Sequence, residues 1–376
     1  MPSVVAFCSD IQQFHKERIL DAEWCRRFPG SSWLPIFARL LAYRGHRLTT
    51  GDVALNEIDN GTLAATDIIV IAAEDARHAE ELLNRGAFGG IVICAESPLF
   101  ARTFYERIGE LGSRYAARIL FQATIDAHFL TTPNTFQTQF PSFTRGEPVP
   151  ASKEWANRPA LVMVASNKYW RTPFDIRFIY STKKLEAWLR GKFGLTQSKI
   201  KRLARAAQLH DRRLDVIGYF GERGMLTLHG SGWNRLTEIP LKWRRRLAPL
   251  LARITPTVCD DKQATIAQFR FAFAIENISY PGYHTEKIID CFAAGVIPLY
   301  LGDPKISQAI PSEAFIHLAD FSSLAALEAH LRSFTPAQAA TMLAAGQSFL
   351  KNHGNAYSYE GFAENSLALL TPLLKP

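Results

Sequence analysis

The chain has 376 residues, with 43 lysines and arginines against 35 aspartates and glutamates (net charge +8) and 47% hydrophobic residues. That length and apolar content suffice for two ordinary cores, yet no apolar run approaches the roughly 18 to 20 residues of a spanning helix, and the opening MPSVVAFCSDIQQF has neither the basic start nor the apolar length of a secretory leader. Five dispersed cysteines (Cys8, Cys25, Cys94, Cys259, Cys291) with no Cys-x-x-Cys pair argue against a disulfide framework or a zinc site, which leaves a soluble intracellular enzyme as the expected class.

In chain order, short apolar runs alternate with helical patterns. Val4–Cys8 reads as a buried strand. Trp33, Ile36, Phe37, Leu40 and Leu41 recur at helical spacing after Ser31 and Ser32, with Gly45 past the end. Residues 67–73 (DIIVIAA) form a second strand, 76–85 a helix and 90–95 (GIVICA) a third strand. Residues 141–159 carry four prolines and few core residues, which places a domain junction there. A second set of strands follows at 160–165 (ALVMVA), 225–229, 270–275 and 296–301, and Tyr359–Leu370 closes the chain as a helix. Such alternation predicts parallel sheets covered by helices on both faces. The expected division is 1–150, 151–355, and a C-terminal helix within 356–376 that packs back across the junction.

Chemically capable side chains concentrate in residues 271–303, FAFAIENISYPGYHTEKIIDCFAAGVIPLYLGD. The pattern is strand, polar loop, short helix, strand. Thr285 is placed to cap the helix, Ile288, Ile289 and Phe292 form its apolar side, and Gly295 falls at the C′ position. Ligands of doubly wound sheets bind at the carboxyl ends of strands, where a helix N-terminus attracts phosphate. Lys287 adds a full charge in that first turn, so the outline is a nucleotide-diphosphate site. Glu286 stands beside it, as an acid favoured by the helix dipole or as a hydrogen-bond acceptor for a ligand. Asn277 and Tyr283 are candidate ligand donors or loop-ordering groups, and Glu276 a structural partner for a nearby lysine. Asp260-Asp261-Lys262 reads as loop, and no Asp-x-Asp pair sits at a strand end.

The segment ENISYPGYHTEKIIDCFAAGVIPLYLG, residues 276–302, resembles the signature of the α-1,3/4-fucosyltransferases, glycosyltransferase family ten. The match covers about thirty residues; His284 departs from the aliphatic residue usual between Tyr and Thr. The resemblance implies an α/β chain of the GT-B fold, two Rossmann-like domains facing a central cleft, with acceptor bound to the first domain and nucleotide sugar to the second. It implies GDP-fucose as donor, Lys287 on its pyrophosphate, Glu286 on ribose hydroxyls, and Asn277 and Tyr283 on the diphosphate or fucose. The acceptor is expected to be a lactosamine-type or surface glycan, fucosylated with inversion at a GlcNAc or glucose hydroxyl. Animal members carry a Golgi membrane anchor and this sequence shows none, so it is similar to bacterial members, with a cytoplasmic location expected.

Three weaker matches extend the resemblance. Glu96, in Ala95-Glu96-Ser97-Pro98 after the third strand, matches the family's catalytic base; its alternative is to cap the turn. Ser166-Asn167-Lys168 matches a segment that the family follows with a diphosphate-binding arginine. Here that arginine is displaced, and either Lys183 or Arg177 supplies the charge, Lys183 without a guanidinium's fork. Gly230-Ser231-Gly232-Trp233 is similar to a family turn near the donor nucleotide, or is a plain strand-ending turn. No cofactor is required on this reading, with a divalent metal as stimulant at most.

The basic residues cluster in 183–213 and 242–246. They read first as solvated helix faces and next as contacts for anionic membrane or an acidic acceptor. No aromatic interleaving marks a nucleic-acid module, so no nucleic-acid partner is expected. Two alternatives stay open: an inverting transferase using another nucleotide sugar, and a non-catalytic glycan- or nucleotide-binding protein.

Overall fold

The computed structural model describes residues 3–28, 30–74, 76–96, 104, 107–120, 134–146, 153–167 and 208–375. The chain divides into two compact units, Met1–Gly146 with Gly354–Pro376, and Glu147–His353. Among the described residues no helix is long and apolar enough to cross a membrane.

The first unit is built on strands β1 (Val4–Cys8), β2 (Arg47–Thr50), β3 (Ile68–Ala73), β4 (Phe88–Cys94), β5 (Ala117–Leu120) and β6 (Thr135–Gln137). They form one parallel sheet in the order β2-β1-β3-β4-β5-β6. Val4 to Cys8 are all buried, as a strand covered on both faces requires. Between the strands run α1 (Ala22–Arg26), α2 (Trp33–Tyr43), α3 (Gly51–Asp59), α4 (Arg77–Asn84) and α5 (Ile108–Arg114). Helix α2 buries Trp33, Phe37 and Leu41 of the face its spacing predicts, with Ile36 and Leu40 half-buried and Leu34 buried in addition.

The second unit holds β7 (Leu161–Val164), α6 (His210–Glu222), β8 (Leu226–His229), α7 (Leu241–Ile254), α8 (Lys262–Ile266), β9 (Phe271–Ile275), α9 (Glu286–Ala293), β10 (Ile297–Leu301), β11 (Ile316–His317), α10 (Leu324–Ser333) and α11 (Pro336–His353). Its sheet is also parallel, in the order β11-β10-β9-β7-β8. The core beneath the helices gathers Leu161, Phe220, Leu247, Phe271, Phe273 and Leu299.

The closing helix α12 (Tyr359–Leu370) belongs to the first unit. Phe362 packs edge-on against Trp33 at 4.8 Å between ring centroids. Arg145 pairs with Glu360 and Glu364, and the Ser142 backbone N–H donates to Tyr357 O at 2.8 Å. Burying an aromatic side chain of this kind is worth about 1.5–3 kcal/mol, and Ala363, Leu367 and Leu370 of the same helix are buried beside it.

Candidate functional site

In both sheets the chain starts on one strand, adds a neighbour on one side, then crosses to the other side. Strand order therefore reverses between β1 and β3 in the first unit and between β7 and β9 in the second. Beyond the carboxyl ends of such a pair the connecting loops diverge and leave a crevice for ligand.

At the second switch point β9 ends in Glu276 and Asn277. Glu276 is fully buried, and its carboxylate accepts from the Thr285 backbone N–H (2.8 Å), the Thr285 hydroxyl (2.9 Å to Oε2) and Lys287 Nζ (2.8 Å). Lys287 Nζ also donates to Thr285 Oγ1 at 2.6 Å. Thr285 does occupy the N-cap of α9, but its side chain makes no capping bond. A buried carboxylate without donors is far costlier than an uncapped helix end, so the hydroxyl goes to Glu276. Gly295 takes the C′ position with φ of 61°, as the spacing predicts.

Glu286, the first residue of α9, has Lys287 Nζ at 3.5 Å and Lys262 Nζ at 3.3 Å, both measured to Oε1. Burial pushes its carboxyl up, but Lys287 and then Lys262 outweigh burial and hold it well below the usual carboxylate range. Lys262 also forms an ion pair with Asp290, one turn along α9. Burial would lower the Lys262 ammonium, and the charges of Asp290 and Glu286 instead hold it well above the ordinary lysine value. Of the loop expected at 260–262, Asp260 and Asp261 do precede the helix, while Lys262 opens it: Asp261 Oδ1 accepts from the Ala264 N–H at 2.9 Å and caps α8. An aspartate followed by a polar residue and small helix formers was the available signal.

Arg213, in sequence one member of a basic run, is 5% exposed and lies against the same strand end. Its Nη2 donates to Ile275 O at 2.5 Å and to Asn277 Oδ1 at 2.9 Å. A guanidinium only donates, so this contact turns the Asn277 amide oxygen toward Arg213 and its NH2 group away. Burial lowers the Arg213 guanidinium, against the opposing influence of Glu276, Tyr283 and Glu286. Nothing in the run Asp211-Arg212-Arg213-Leu214 distinguishes the inward arginine except its helical phase with Leu214 and Ile217. Tyr283 is buried in the same cluster, and His284 Nδ1 lies 3.7 Å from Asp303 Oδ2 at the end of β10. Burial raises the Asp303 carboxyl, but hydrogen bonds from His284 and the Lys305 N–H bring it below its ordinary value.

The ends of β7 and β8 are laced together beside this cluster. Asn167 N donates to Ser231 O (2.8 Å), Asn167 Nδ2 to Gly232 O (3.1 Å), and Trp233 Nε1 to Ala165 O (2.8 Å). Gly230 has φ of 130°, and a Cβ there would come within 2.1 Å of Ala165 O, so this turn admits only glycine.

Lys287, Glu286, Asn277 and Tyr283 thus converge on the β9–α9 connection, and Gly230 borders the β7–β8 edge of the same sheet. Lys183 and Arg177 lie outside the described residues. Glu96 belongs to the first unit, in the bend after β4, half-buried, with its carbonyl accepting from Cys94 Sγ at 3.5 Å. Among the described residues no three His, Cys, Asp or Glu side chains group to hold a metal ion.

Residues 252–342, which span α8, β9, α9 and β10, match the family described as glycosyltransferase family 10 (fucosyltransferase), C-terminal part. Bovine alpha-(1,3)-fucosyltransferase 4 is 41% identical over 71 residues, 18% of this chain and 18% of that protein. Alpha-(1,3)-fucosyltransferase FucT of Helicobacter pylori is 33% identical over 63 residues, 17% of this chain and 13% of that protein. The aligned stretch is therefore under a fifth of these curated relatives. Among solved structures, Anabaena Alr3699/HepE in complex with UDP and glucose superposes with a TM-score of 0.58 at 8% identity, over 99% of this chain and 100% of that one. That likeness shows the fold, an α/β chain of the GT-B class with two Rossmann-like domains, in line with the strand–helix alternation and with what the family resemblance implies.

Proposed function

We propose that the chain, whose residues 252–342 match the C-terminal part of glycosyltransferase family 10, is a fucosyltransferase of that family and transfers L-fucose from GDP-fucose to an acceptor glycan with inversion. The observation that carries the reading is the Lys287 ammonium in the first turn of α9, gripped by Glu276 and Thr285 at the switch point of the second sheet. A pyrophosphate arriving there would take Lys287 and the N–H groups of the first turn as donors.

The described cluster is electrically balanced, with Lys262, Lys287 and Arg213 against Glu276, Glu286 and Asp290. A pyrophosphate therefore needs further positive charge, which we assign to the helix N-terminus and to Lys183 or Arg177. Asn277 would donate from its NH2 group, Tyr283 would border the fucose, and Glu286 would accept from ribose hydroxyls. Gly230 lets backbone approach the nucleotide closely. Glu96 would take the proton of the acceptor hydroxyl as that oxygen bonds the anomeric carbon. The bond from that carbon to the β-phosphate oxygen breaks in the same step, and GDP leaves with the electron pair. No resident cofactor is needed for this scheme, and a divalent ion would act only as a stimulant.

The acceptor, proposed as a lactosamine-type or surface glycan fucosylated α-1,3, would bind the first unit. A cytoplasmic bacterial setting belongs to the same proposal. So does peripheral contact with anionic lipid, for which Leu241, Lys242 and Arg245 on α7 offer an exposed, mostly basic face.

The test is GDP release from GDP-fucose with a panel of lactosamine-type acceptors, run beside Glu96→Gln and Lys287→Ala. Acceptor-dependent release that vanishes in Glu96→Gln supports the reading. A chain that binds neither GDP nor GDP-fucose overturns it in favour of another nucleotide sugar.

A further inference from the structure

Lys262 lies outside the family-like signature at 276–302, on a different helix, and still reaches the donor-site turn. Its Nζ contacts two carboxylates one helical turn apart on α9, Glu286 at 3.3 Å and Asp290. The neighbouring Gln263 adds a bond from Nε2 to Asp290 Oδ1 at 3.0 Å. Both lysines that touch Glu286 meet it on the same oxygen, Oε1, so the carboxylate is held in rotation as well as in place.

The lysine is itself anchored. Asp261 caps α8 immediately before it, and a few residues earlier Thr257 O accepts from the Gly230 N–H at 2.8 Å while His229 Nδ1 lies 3.1 Å from Thr257 Oγ1. The segment from Thr257 to Lys262 therefore runs from the Gly230 turn at the end of β8 to the first turn of α9. It joins two parts of the carboxyl edge, the ends of β8 and β9, that β7 otherwise separates.

We infer that Lys262 is a positioning residue for the donor site: it orients the Glu286 carboxylate toward the nucleotide sugar and sets the first turn of α9 against the Gly230 turn. The inference rests on the fucosyltransferase reading of that site. Lys262 has no contact with ligand in this scheme. It acts through Glu286, so its removal changes donor affinity and leaves the chemical step alone.

The experiment is a double-mutant cycle read by calorimetric GDP affinity and by initial rates with GDP-fucose. Lys262→Met should weaken GDP binding and raise the donor KM about tenfold, with kcat within about twofold. Lys262→Arg, which keeps the charge, should stay within about threefold of the parent. In a Glu286→Gln background, Lys262→Met should add little, because the group through which it acts is already altered. Thermal unfolding is followed for every variant, and Lys262→Gln replaces Lys262→Met if the latter does not fold.

Unchanged GDP affinity in Lys262→Met, fully additive losses in the cycle, or a fall confined to kcat each overturns the inference while the parent's GDP binding keeps the functional reading intact. If the parent chain binds neither GDP nor GDP-fucose, reading and inference fall together.

Discussion

At the carboxyl edge of the first sheet, Asp52 accepts from the backbone N–H of Lys16 and the exposed Asp10 from that of Arg77, with the exposed Arg77 side chain 3.6 Å away, whereas at the matching edge of the second sheet Glu276, Glu286 and Asp290 meet largely buried lysine side chains. Both sheets have the same reversal of strand order, so topology offers each unit a crevice in the same place. What differs is the use of the carboxylates. In the first unit they organise loop and helix backbone, beside the strained Lys16, Glu17 and Glu74, which have φ of 56°, 57° and 56°. In the second they hold lysine ammonium groups in a buried, balanced cluster. A shared architecture thus leaves the chemistry to the side chains placed on it.

The largest effect that would sharpen this contrast is expected from Glu96→Gln. Transfer should fall about 100- to 10,000-fold if Glu96 is the general base, with GDP affinity unchanged. A loss of GDP affinity in that variant would break the division of labour between the units. Next in size is Lys287→Ala, for which we expect about 10- to 100-fold weaker GDP binding. It should also lose about 3 kcal/mol or more of stability, because it leaves the buried Glu276 carboxylate without its cation. Adding Glu276→Gln should recover much of the melting temperature and none of the affinity, which separates the structural part of the pair from the functional one.

The acid limb of stability gives a smaller signal. The folded Glu286 carboxyl lies below its ordinary value of 4.5, so the unfolded chain binds the proton more readily. The stability it adds is fully present above that pH and drains as pH falls toward the folded value. Urea midpoints between pH 3 and 7 should therefore drop less steeply for Glu286→Gln than for the parent. An equally steep acid limb would mean that the pair with Lys262 and Lys287 adds nothing. The smallest expected change is Asp10→Ala in the first unit, about 1 kcal/mol, or roughly 2–4 °C in melting temperature, as befits an external cap on α4. A loss of transfer there would show that this edge also handles substrate.

Most strands were legible because a covered parallel sheet demands continuous apolar runs, and Val4–Cys8, Phe271–Ile275 and Ile297–Leu301 supply them. Tyr359–Leu370 is a helix over the very residues its pattern gave. The approach of Lys287 to Glu276 was open to local reasoning, since both sit in one strand–loop–helix unit. Less legible were contacts between elements far apart in sequence. Arg213 and Asn277 are 64 residues apart, and Lys262 and Glu286 are 24 apart.

The sequence by itself determined the two-domain α/β pattern, the family-like loop and the helix boundaries of α9, because periodicity, caps and motifs act over a few neighbouring residues. Only the tertiary structure decided which of many arginines turns inward, that Thr285 serves Glu276 rather than the helix end, and that Lys262 reaches across to Glu286. Those outcomes follow from the cost of burying charge: each carboxylate placed at the strand ends must find its donors wherever the fold brings them, at whatever distance along the chain.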